Sequence, residues 1–311
     1  MYLDKTNKEL ILQLSKRCVE IESSRCYKVC NTLKKAAKTL YNHNLNIILN
    51  KIYVKLFHPW LNTDVRSKSW KEYVNTEIAK QHELQKTTHN EKITVYTCIT
   101  GNYDTTIPIP FQAPNTEYVL FTDNIELKCL GWNTVPIPKR LSSMNARDIN
   151  RYIKMHPHEF FRTPFSVYID GNVWLLCDPM EFCISAKYSN SHIAMFAHGL
   201  RDCVYDEGKA CRQLNRGDAD GIRQQLSVCN SLQIQPHSGL LEACIIASDI
   251  SHPDILTFYN IWWNQYIENG SERDQLALPA AIILSGLDVQ DFGILGDNAR
   301  NDPRLRFLSH G

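Results

Sequence analysis

The sequence predicts an α/β fold with a mixed, mostly parallel sheet flanked by helices, and two observations support this class. After Glu91, short apolar runs alternate with longer stretches of helical periodicity, which is the order of parallel strands joined by crossover helices. The 311 residues are 43% hydrophobic and 22% charged, a composition that allows a large buried core. Ligands of such sheets bind where the strands end. The residues that follow each predicted strand are therefore the candidates for a functional site.

Nine elements are predicted in the C-terminal domain, which we place at residues 91–311. Short apolar runs predict strands over 93–99, 118–122, 166–169, 192–196 and 240–247. Apolar residues at helical spacing predict helices over 145–156, 201–213, 253–268 and 274–284. No internal repeat is present.

Residues 1–90 are predicted to form a basic, helical N-terminal extension. Helical periodicity covers residues 3–40, and residues 45–60 combine apolar and aromatic side chains with Lys51 and Lys55 until Pro59 ends the pattern. Residues 1–92 contain 17 Lys and Arg against 9 Asp and Glu, whereas residues 93–311 contain 17 against 24. The extension could lie on an anionic membrane surface, mediate oligomerisation, or pack on the protein's own core. A nucleic-acid partner has less support.

The sequence favours a cytoplasmic protein. The polar first residues contain no signal-peptide hydrophobic region, and no segment has the apolar length that a bilayer requires. The eleven cysteines include no Cys-x-x-Cys pair, so they predict buried thiols rather than a disulfide framework or a zinc site. Through its basic extension the protein could also bind the inner face of the cell membrane.

The segment Asp170-Gly-Asn172 is the first candidate for chemistry, because it follows a buried strand directly. Carboxylate and amide oxygens are ligands for Mg²⁺ or Mn²⁺, which in turn bridge the oxygens of a diphosphate. The same tripeptide is also a common turn in which glycine supplies the positive φ. The helix before this strand supports the ligand interpretation, because Arg147, Arg151 and Lys154 recur at helical spacing and could contact a pyrophosphate. A solvated charged face is the alternative.

The first two strands also end in polar residues. Thr97 lies near the end of the first strand, Gly101 and Asp104 follow it, and Asp123 ends the second strand. A nucleoside commonly lies at this position in nucleotide-binding sheets. The segment lacks both G-x-G-x-x-G and a P-loop lysine, which argues against dinucleotide and P-loop chemistry.

Seven motifs occur in a fixed order along residues 93–311, and together they resemble a known family. They are Tyr-Thr-x-Ile-Thr-Gly-x-Tyr-Asp, Phe-Thr-Asp, Ala-Arg-x-x-x-Arg-x-x-Lys-x-x-Pro-His, Tyr-Ile-Asp-Gly-Asn, His-Gly-Leu-Arg-Asp, Gly-Leu-Leu-Glu and Gly-Ser-Glu-Arg-Asp-Gln. The order is similar to that of the glycosyltransferase-like domain family that includes plant turgor-regulation-defect and seed-mucilage proteins and bacterial proteins of surface-polysaccharide synthesis.

This resemblance implies a GT-A-like, Rossmann-like fold, a nucleotide-sugar donor and a divalent metal, Mn²⁺ or Mg²⁺. Asp170, Asn172 and the C-terminal His310 would hold the metal, with Asn172 standing where the family pattern has a second Asp. Donor contacts are carried over to nine residues: Thr97, Gly101, Asp104, Asp123, Arg147, Lys154, His198, Arg201 and Arg273.

The resemblance also implies four catalytic candidates, Asp274, Gln275, Glu207 and Glu242. Inversion at the anomeric carbon requires a base such as Glu207 to deprotonate the acceptor. Retention requires a group that stabilises an oxocarbenium-like centre, and Asp274, Gln275 or Glu242 could do so. Both outcomes stay open, with retention favoured.

The expected function is transfer of a sugar to a glycan or lipid-linked acceptor in the synthesis of a bacterial surface polysaccharide, such as capsule or O-antigen. The alternative is a non-catalytic carbohydrate-binding or scaffold protein that kept the fold after losing strong metal binding. A nucleotidyltransferase has less support, because no Gly-rich signature loop followed by a basic residue is present. A homo-oligomer is compatible with the sequence.

Overall fold

The computed structural model describes residues 24, 59–84, 90–101, 103, 108–110, 112–124, 126–127 and 129–308. The helices predicted over 3–40 and over most of 45–60 lie outside these residues. The predicted site residues Asp104 and His310 also lie outside them.

Seven strands form one sheet in the spatial order β3-β2-β1-β4-β7-β6-β8. Strand β7 is antiparallel to its neighbours β4 and β6, and the other neighbouring strands are parallel. The C-terminal ends of β1, β2, β4 and β6 and the N-terminal end of β7 therefore lie at one side of the sheet, which we call the carboxyl edge. The strands are β1 (Ile93–Ile99), β2 (Thr116–Thr122), β3 (Asn133–Pro136), β4 (Phe165–Ile169), β6 (Ile193–Ala197), β7 (Leu241–Asp249) and β8 (Gly293–Ile294).

A two-stranded antiparallel sheet lies next to the carboxyl edge, because β5 follows β4 after a short turn. It pairs β5 (Val173–Leu175) with β9 (Leu305–Phe307), so that Val173 lies opposite Phe307. The C-terminal part of the chain thereby returns to the end of β4.

The helices are positioned by capping residues at several ends. The Asn145 side chain accepts the Asp148 N–H at 2.9 Å at the start of α2, and Asp218 accepts the Gly221 N–H at 2.7 Å at the start of α6. Gly270 ends α7 in the left-handed conformation. The helices are α1 (Lys68–Leu84), α2 (Ala146–Met155), α3 (Pro157–Phe160), α4 (Met180–Lys187), α5 (Val204–Gln213), α6 (Ala219–Ser231), α7 (Asp254–Asn269) and α8 (Asp274–Leu284).

The main sheet is buried on both faces, which is why its strands are apolar throughout rather than alternating. On one face Tyr96 and Tyr168 pack with Trp262 of α7 in the larger core cluster. On the other face Val95 packs with Phe182 of α4. A third cluster joins α5, α6 and α8.

The segment 59–84, which the sequence analysis assigned to the extension, shares the core of the sheet domain. Trp70 and Val74 of α1 are buried in the larger cluster. The Trp70 ring lies against Gly239, where an added Cβ would come within 2.5 Å of it. The Ser67 N–H and hydroxyl donate to the buried Asp202 carboxylate at 2.8 and 2.6 Å. This segment therefore connects directly to the loops of the carboxyl edge.

The predicted α/β class with a mixed, mostly parallel sheet is confirmed, and the five predicted strands and four predicted helices are present with ends shifted by a few residues. Strands β3, β5, β8 and β9 were missed because they are only two to four residues long. Helix α4 was missed because it is buried almost throughout, from Phe182 to Ala186, and so has no polar face to mark its period.

Seven of the eight described cysteines are buried free thiols, and the eighth, Cys129, is half-buried. None of the described helices combines the length and apolar character needed to span a membrane.

Candidate active site at the carboxyl edge of the sheet

A small cleft opens at the carboxyl edge, beside the ends of β1, β2 and β4. The Thr97 hydroxyl is buried in its wall and has no hydrogen-bond partner among the described residues. A buried polar atom without a partner costs about 1–3 kcal/mol, so a ligand that bonds to this hydroxyl would recover that energy. The cleft is lined by Thr97, Ile99, Leu120, Trp132, Ile169, Asp170, Gly171 and Val173.

Asp170 lies at the end of β4 with its backbone in a turn and its half-buried side chain in the cleft wall. Its N–H donates to the Cys244 carbonyl and its carbonyl accepts the Val173 N–H, both at 3.0 Å. No hydrogen bond or ion pair reaches its carboxylate from any residue that the structure describes. The segment is therefore a turn that leaves a carboxylate available to a ligand.

Asn172 joins the same turn to the C-terminal part of the chain. Its Nδ2 donates to the Leu308 carbonyl at 3.0 Å, and the Leu308 N–H donates to the Asn172 carbonyl at 2.8 Å. The side-chain oxygen of Asn172 accepts no hydrogen bond within the described part of the chain. Asn172 thus ties β9 to the end of β4 and keeps one oxygen for a further contact.

Gly101 and Asp123 connect the ends of β1 and β2. The Gly101 N–H donates to Asp123 Oδ2 at 2.8 Å, and Gly101 has a φ of +64°, which favours glycine. An added Cβ at Gly101 would come within 3.0 Å of the Ala146 Cβ at the start of α2. The loop after β1 therefore passes close to α2, and the other oxygen of the exposed Asp123 carboxylate accepts no hydrogen bond from the described residues.

Lys154 and Asp274, assigned from the sequence to the donor phosphates and to catalysis, form one buried ion pair. Lys154 Nζ lies 2.5 Å from Asp274 Oδ2 and 4.9 Å from the centre of the Tyr168 ring. Arg151 Nε lies 3.3 Å from Asp274 Oδ1. Burial alone would raise the pKa of Asp274, but Arg151 and Lys154 lower this pKa well below its usual range. Asp274 is therefore ionised, and its charge is neutralised within the protein.

The cationic side chains expected on one face of α2 thus each pair with a carboxylate. Lys154 is buried against Asp274 rather than exposed, and the exposed Arg147 pairs with Glu272. Neither contact was predicted from the spacing of these residues along the helix.

Arg201 and Glu207, also singled out separately, form a second buried ion pair. Arg201 Nε donates to Glu207 Oε2 at 2.5 Å, and Arg201 Nη1 donates to the Leu61 carbonyl at 3.2 Å. The Cys211 thiol donates to Glu207 Oε1 at 3.4 Å. Burial would raise the pKa of Glu207, but the charge of Arg201 and its hydrogen bond lower this pKa below its ordinary value. Glu207 is therefore an ionised, fully partnered carboxylate, which is a poor arrangement for a general base.

His198 lies at the end of β6 beside this pair. Its Nδ1 accepts the N–H groups of Leu200 and Arg201 at 3.3 and 3.0 Å, so the ring proton is on Nε2, which lies 3.6 Å from Glu207 Oε2. Burial lowers the pKa of His198 to about 4. His198 is accordingly a neutral imidazole near pH 7, with Nε2–H as a hydrogen-bond donor.

Glu242 lies at the start of β7, and Gln275 of α8 bonds to the backbone of the residue before it. Glu242 lies opposite Phe196 where the register of β6 and β7 shifts, and Gln275 Nε2 donates to the Leu241 carbonyl at 3.2 Å. Burial raises the pKa of Glu242; Arg300 opposes this effect and Asp170 adds to it. Because the Asp170 N–H bonds to Cys244, these two side chains belong to the same region as the Asp170 turn.

Arg273 precedes α8 with its Nε buried and without a hydrogen-bond partner among the described residues. It contributes to the lowered pKa values of Glu207 and Asp274. Trp132 and Arg300 were missed by the sequence analysis, because no motif or spacing marks either of them.

The fold and the cleft define the class of protein. It is an α/β domain with a ligand site at the carboxyl ends of parallel strands, and the wall of the cleft contains an available carboxylate. Residues 65–290 match the family described as TOD1/MUCI70, glycosyltransferase-like domain, and the chain belongs to this family. The resemblance found in the sequence is thereby confirmed.

Three solved structures are distantly similar. WbbM, a bifunctional glycosyltransferase in its apo form, has a TM-score of 0.39 and 10% sequence identity to this chain. The match covers 63% of this chain and 38% of WbbM. The galactosyltransferase LgtC, in complex with donor and acceptor sugar analogues, has a TM-score of 0.34 and 9% identity over 60% of this chain and 69% of its own. Mouse xyloside xylosyltransferase 1, in its apo form, has a TM-score of 0.38 and 8% sequence identity to this chain. The match covers 67% of this chain and 85% of the mouse protein. No curated protein has significant sequence similarity to the chain.

Proposed function

We propose that this protein transfers a sugar from a nucleotide-sugar donor to a glycan or lipid-linked acceptor, assisted by a divalent metal at Asp170. The observation that carries this proposal is the Asp170 carboxylate, which lines the cleft with no partner among the described residues. The buried Thr97 hydroxyl in the same cleft supports it, because this donor and acceptor atom also lacks a partner there. The family match supports glycosyl transfer as the class of reaction.

Asp170 and the side-chain oxygen of Asn172 would hold the metal. Within the described part of the chain no group of three His, Cys, Asp or Glu residues could bind a cation alone. Mg²⁺ and Mn²⁺ sites of nucleotide-dependent enzymes commonly use one or two protein oxygens and complete their shell with phosphate oxygens and water. We include His310 as a further ligand, because Leu308, two residues earlier, bonds to Asn172. When bound, the metal would neutralise the charge that develops on the departing diphosphate.

The nucleoside would occupy the cleft beside β1 and β2. Thr97 would bond to it from the cleft wall, and the exposed Asp123, aligned by the Gly101 N–H, would accept from a ribose hydroxyl. Asp104 is retained as a candidate contact on sequence grounds.

The acceptor would approach the start of β7. Glu242 has a raised pKa and is suited to exchange a proton with the acceptor hydroxyl. The Gln275 side chain, fixed by its bond to Leu241, would stabilise positive charge at the anomeric carbon, as retention requires. Asp274 and Glu207 would act as positioning residues, since Lys154 and Arg201 neutralise their charges. His198 would donate a hydrogen bond from Nε2 to the substrate.

Asn172 favours one alternative, a non-catalytic carbohydrate-binding protein. Its amide replaces a charged ligand, and its Nδ2 is engaged by Leu308. Such a protein would bind a glycan without metal-dependent consumption of a nucleotide sugar.

The proposed setting is the cytoplasmic face of a cell membrane, in the synthesis of a bacterial surface polysaccharide. The basic residues of the N-terminal extension support this setting, because Lys and Arg favour an anionic lipid surface.

The test is a thermal-shift screen of nucleotide sugars with and without Mn²⁺, followed by turnover measurements. A ligand at one hundred times its Kd stabilises the native state by about 2.7 kcal/mol. We expect a metal-dependent shift for the wild type, and neither shift nor turnover for Asp170→Ala. Asp220→Ala, which changes an exposed carboxylate on α6, is the matched control and should behave as the wild type. Full turnover by Asp170→Ala would refute the assignment.

A further inference from the structure

We infer that Arg300, a residue that no motif singled out, binds the diphosphate of the donor. This inference rests on the proposed function and adds a cationic contact to it. Arg300 is exposed and lies in the short 3₁₀ turn Ala299–Asn301, between β8 and β9.

The position of Arg300 follows from its contact with Phe307. The guanidinium carbon lies 4.6 Å from the centre of the Phe307 ring. Phe307 is paired with Val173 in the small sheet, and Val173 lines the cleft together with Asp170. The positive charge of Arg300 also opposes the rise in the pKa of Glu242 at the start of β7. The contact with Phe307 of β9 and the effect on Glu242 of β7 therefore both place this guanidinium beside the end of β4.

The turn that carries Arg300 is firmly anchored. The Asn298 side-chain oxygen accepts the Arg300 N–H at 3.0 Å, and Ala299 is fully buried. Asn298 in turn lies against Gly199 in the loop after β6, where an added Cβ would come within 2.4 Å of it. The backbone of Arg300 is thus held against the carboxyl edge, so its side chain can act there without a large rearrangement.

Arg300 differs in its charge balance from four other cations near this edge. Lys154 and Arg151 pair with Asp274, Arg201 pairs with Glu207, and Arg147 pairs with Glu272. Among the residues that the structure describes, Arg300 forms no ion pair with a carboxylate.

An exposed guanidinium without a counter-charge suits phosphate, because its planar donors match two phosphate oxygens at once. With a metal held by Asp170, Arg300 would supply a further positive charge for the same diphosphate.

The experiment measures binding by calorimetry with the full-length chain and Mn²⁺, using uridine diphosphate, guanosine diphosphate, inorganic pyrophosphate and the two free nucleosides as probes. Arg300→Ala should weaken binding of the diphosphate that the wild type prefers, and of pyrophosphate, by about tenfold or more, because bonds to charged groups are the stronger class. Binding of the nucleoside should be unchanged. Arg300→Lys should recover part of the loss, since it keeps the charge but not the planar donors.

Arg162→Ala is the matched control. Arg162 is also exposed, and its guanidinium donates to backbone carbonyls of His158 and Phe161 just before β4, at the opposite edge of the sheet. Its loss should leave every binding constant unchanged, and melting curves of all variants should match the wild type.

Two results would overturn the inference in distinguishable ways. If the wild type binds a diphosphate and Asp170→Ala abolishes this binding while Arg300→Ala does not weaken it, the inference fails and the proposed function stands. If the wild type binds neither diphosphates nor pyrophosphate, both fail together.

Discussion

Lys154 Nζ lies 2.5 Å from Asp274 Oδ2, so that a lysine of α2 and the first residue of α8 share one buried charge pair beneath the carboxyl edge. The Trp262 indole N–H bonds to the backbone carbonyl of the same aspartate at 2.8 Å, and Tyr168 covers the ammonium group. Residues of α2, β4 and α7 therefore meet at Asp274, the first residue of α8. This contact fixes the start of α8 and with it the neighbouring Gln275.

Removal of the lysine should destabilise the protein strongly. Lys154→Met leaves Asp274 with Arg151 alone in a buried environment, and breaking a buried pair from one side costs about 3–5 kcal/mol. Urea unfolding of both proteins measures this loss. Lys187→Met is the control, because its partly exposed pair with Glu91 contributes about 1 kcal/mol or less. Equal stability of the two variants would contradict the importance of the buried pair.

The neutral state of His198 predicts how stability depends on pH. The pKa of this histidine is about 4 in the folded protein, below the ordinary value of 6.5 that the unfolded chain regains. Below pH 6.5 the unfolded state takes up a proton that the native state does not, so stability falls as the pH falls from 6.5 towards 4. Between pH 7 and pH 5 this single group should cost the protein about 2 kcal/mol.

His198→Asn tests this expectation, because an asparagine oxygen can accept the same backbone N–H groups without titrating. The free energy of unfolding of the variant should depend less steeply on pH over that interval than that of the wild type. Parallel pH profiles for the two proteins would show that His198 does not carry the effect.

The contact between Trp70 and Gly239 predicts a sharp difference between two glycine substitutions. Gly239 has a φ of +105°, and an added Cβ would lie 2.5 Å from the Trp70 ring, so Gly239→Ala combines backbone strain with a clash. We expect a loss of at least about 2 kcal/mol in the free energy of unfolding. Gly270→Ala is matched, since its φ of +60° brings strain but nothing lies within 4 Å; it should cost about 1 kcal/mol. Similar losses at both positions would count against a close contact at Gly239.

The membrane proposal predicts a charge-dependent association with anionic vesicles. Each Lys near such a surface contributes about 1 kcal/mol, so replacing Lys51 and Lys55 together by Gln should weaken flotation of the full-length protein about 30-fold. The control replaces Lys68 and Lys80 of α1, whose side chains pair with Glu72 and Glu77. Undiminished flotation of the Lys51 and Lys55 variant would dismiss this segment as the membrane contact.

Much of the fold could be predicted because its signals are local. The apolar runs of β1, β4 and β7 are long enough to show, and the polar residues that follow them identify the carboxyl edge as the place for a site. Asp170 was placed correctly at the end of a strand for this reason. Its role as a metal ligand stays a prediction, as do the roles of the other site residues.

The sequence by itself determined the class of fold, the family and the strand ends at which polar side chains collect, because these depend on short local segments and on their order along the chain. Only the tertiary structure decided which charges are available. Lys154 and Asp274 are 120 residues apart, and nothing in either segment indicates that they neutralise each other. Ion pairs between distant residues depend on how helices pack on the sheet, and in this protein that packing separates the partnered cations from Arg300 and leaves the Asp170 carboxylate facing the cleft.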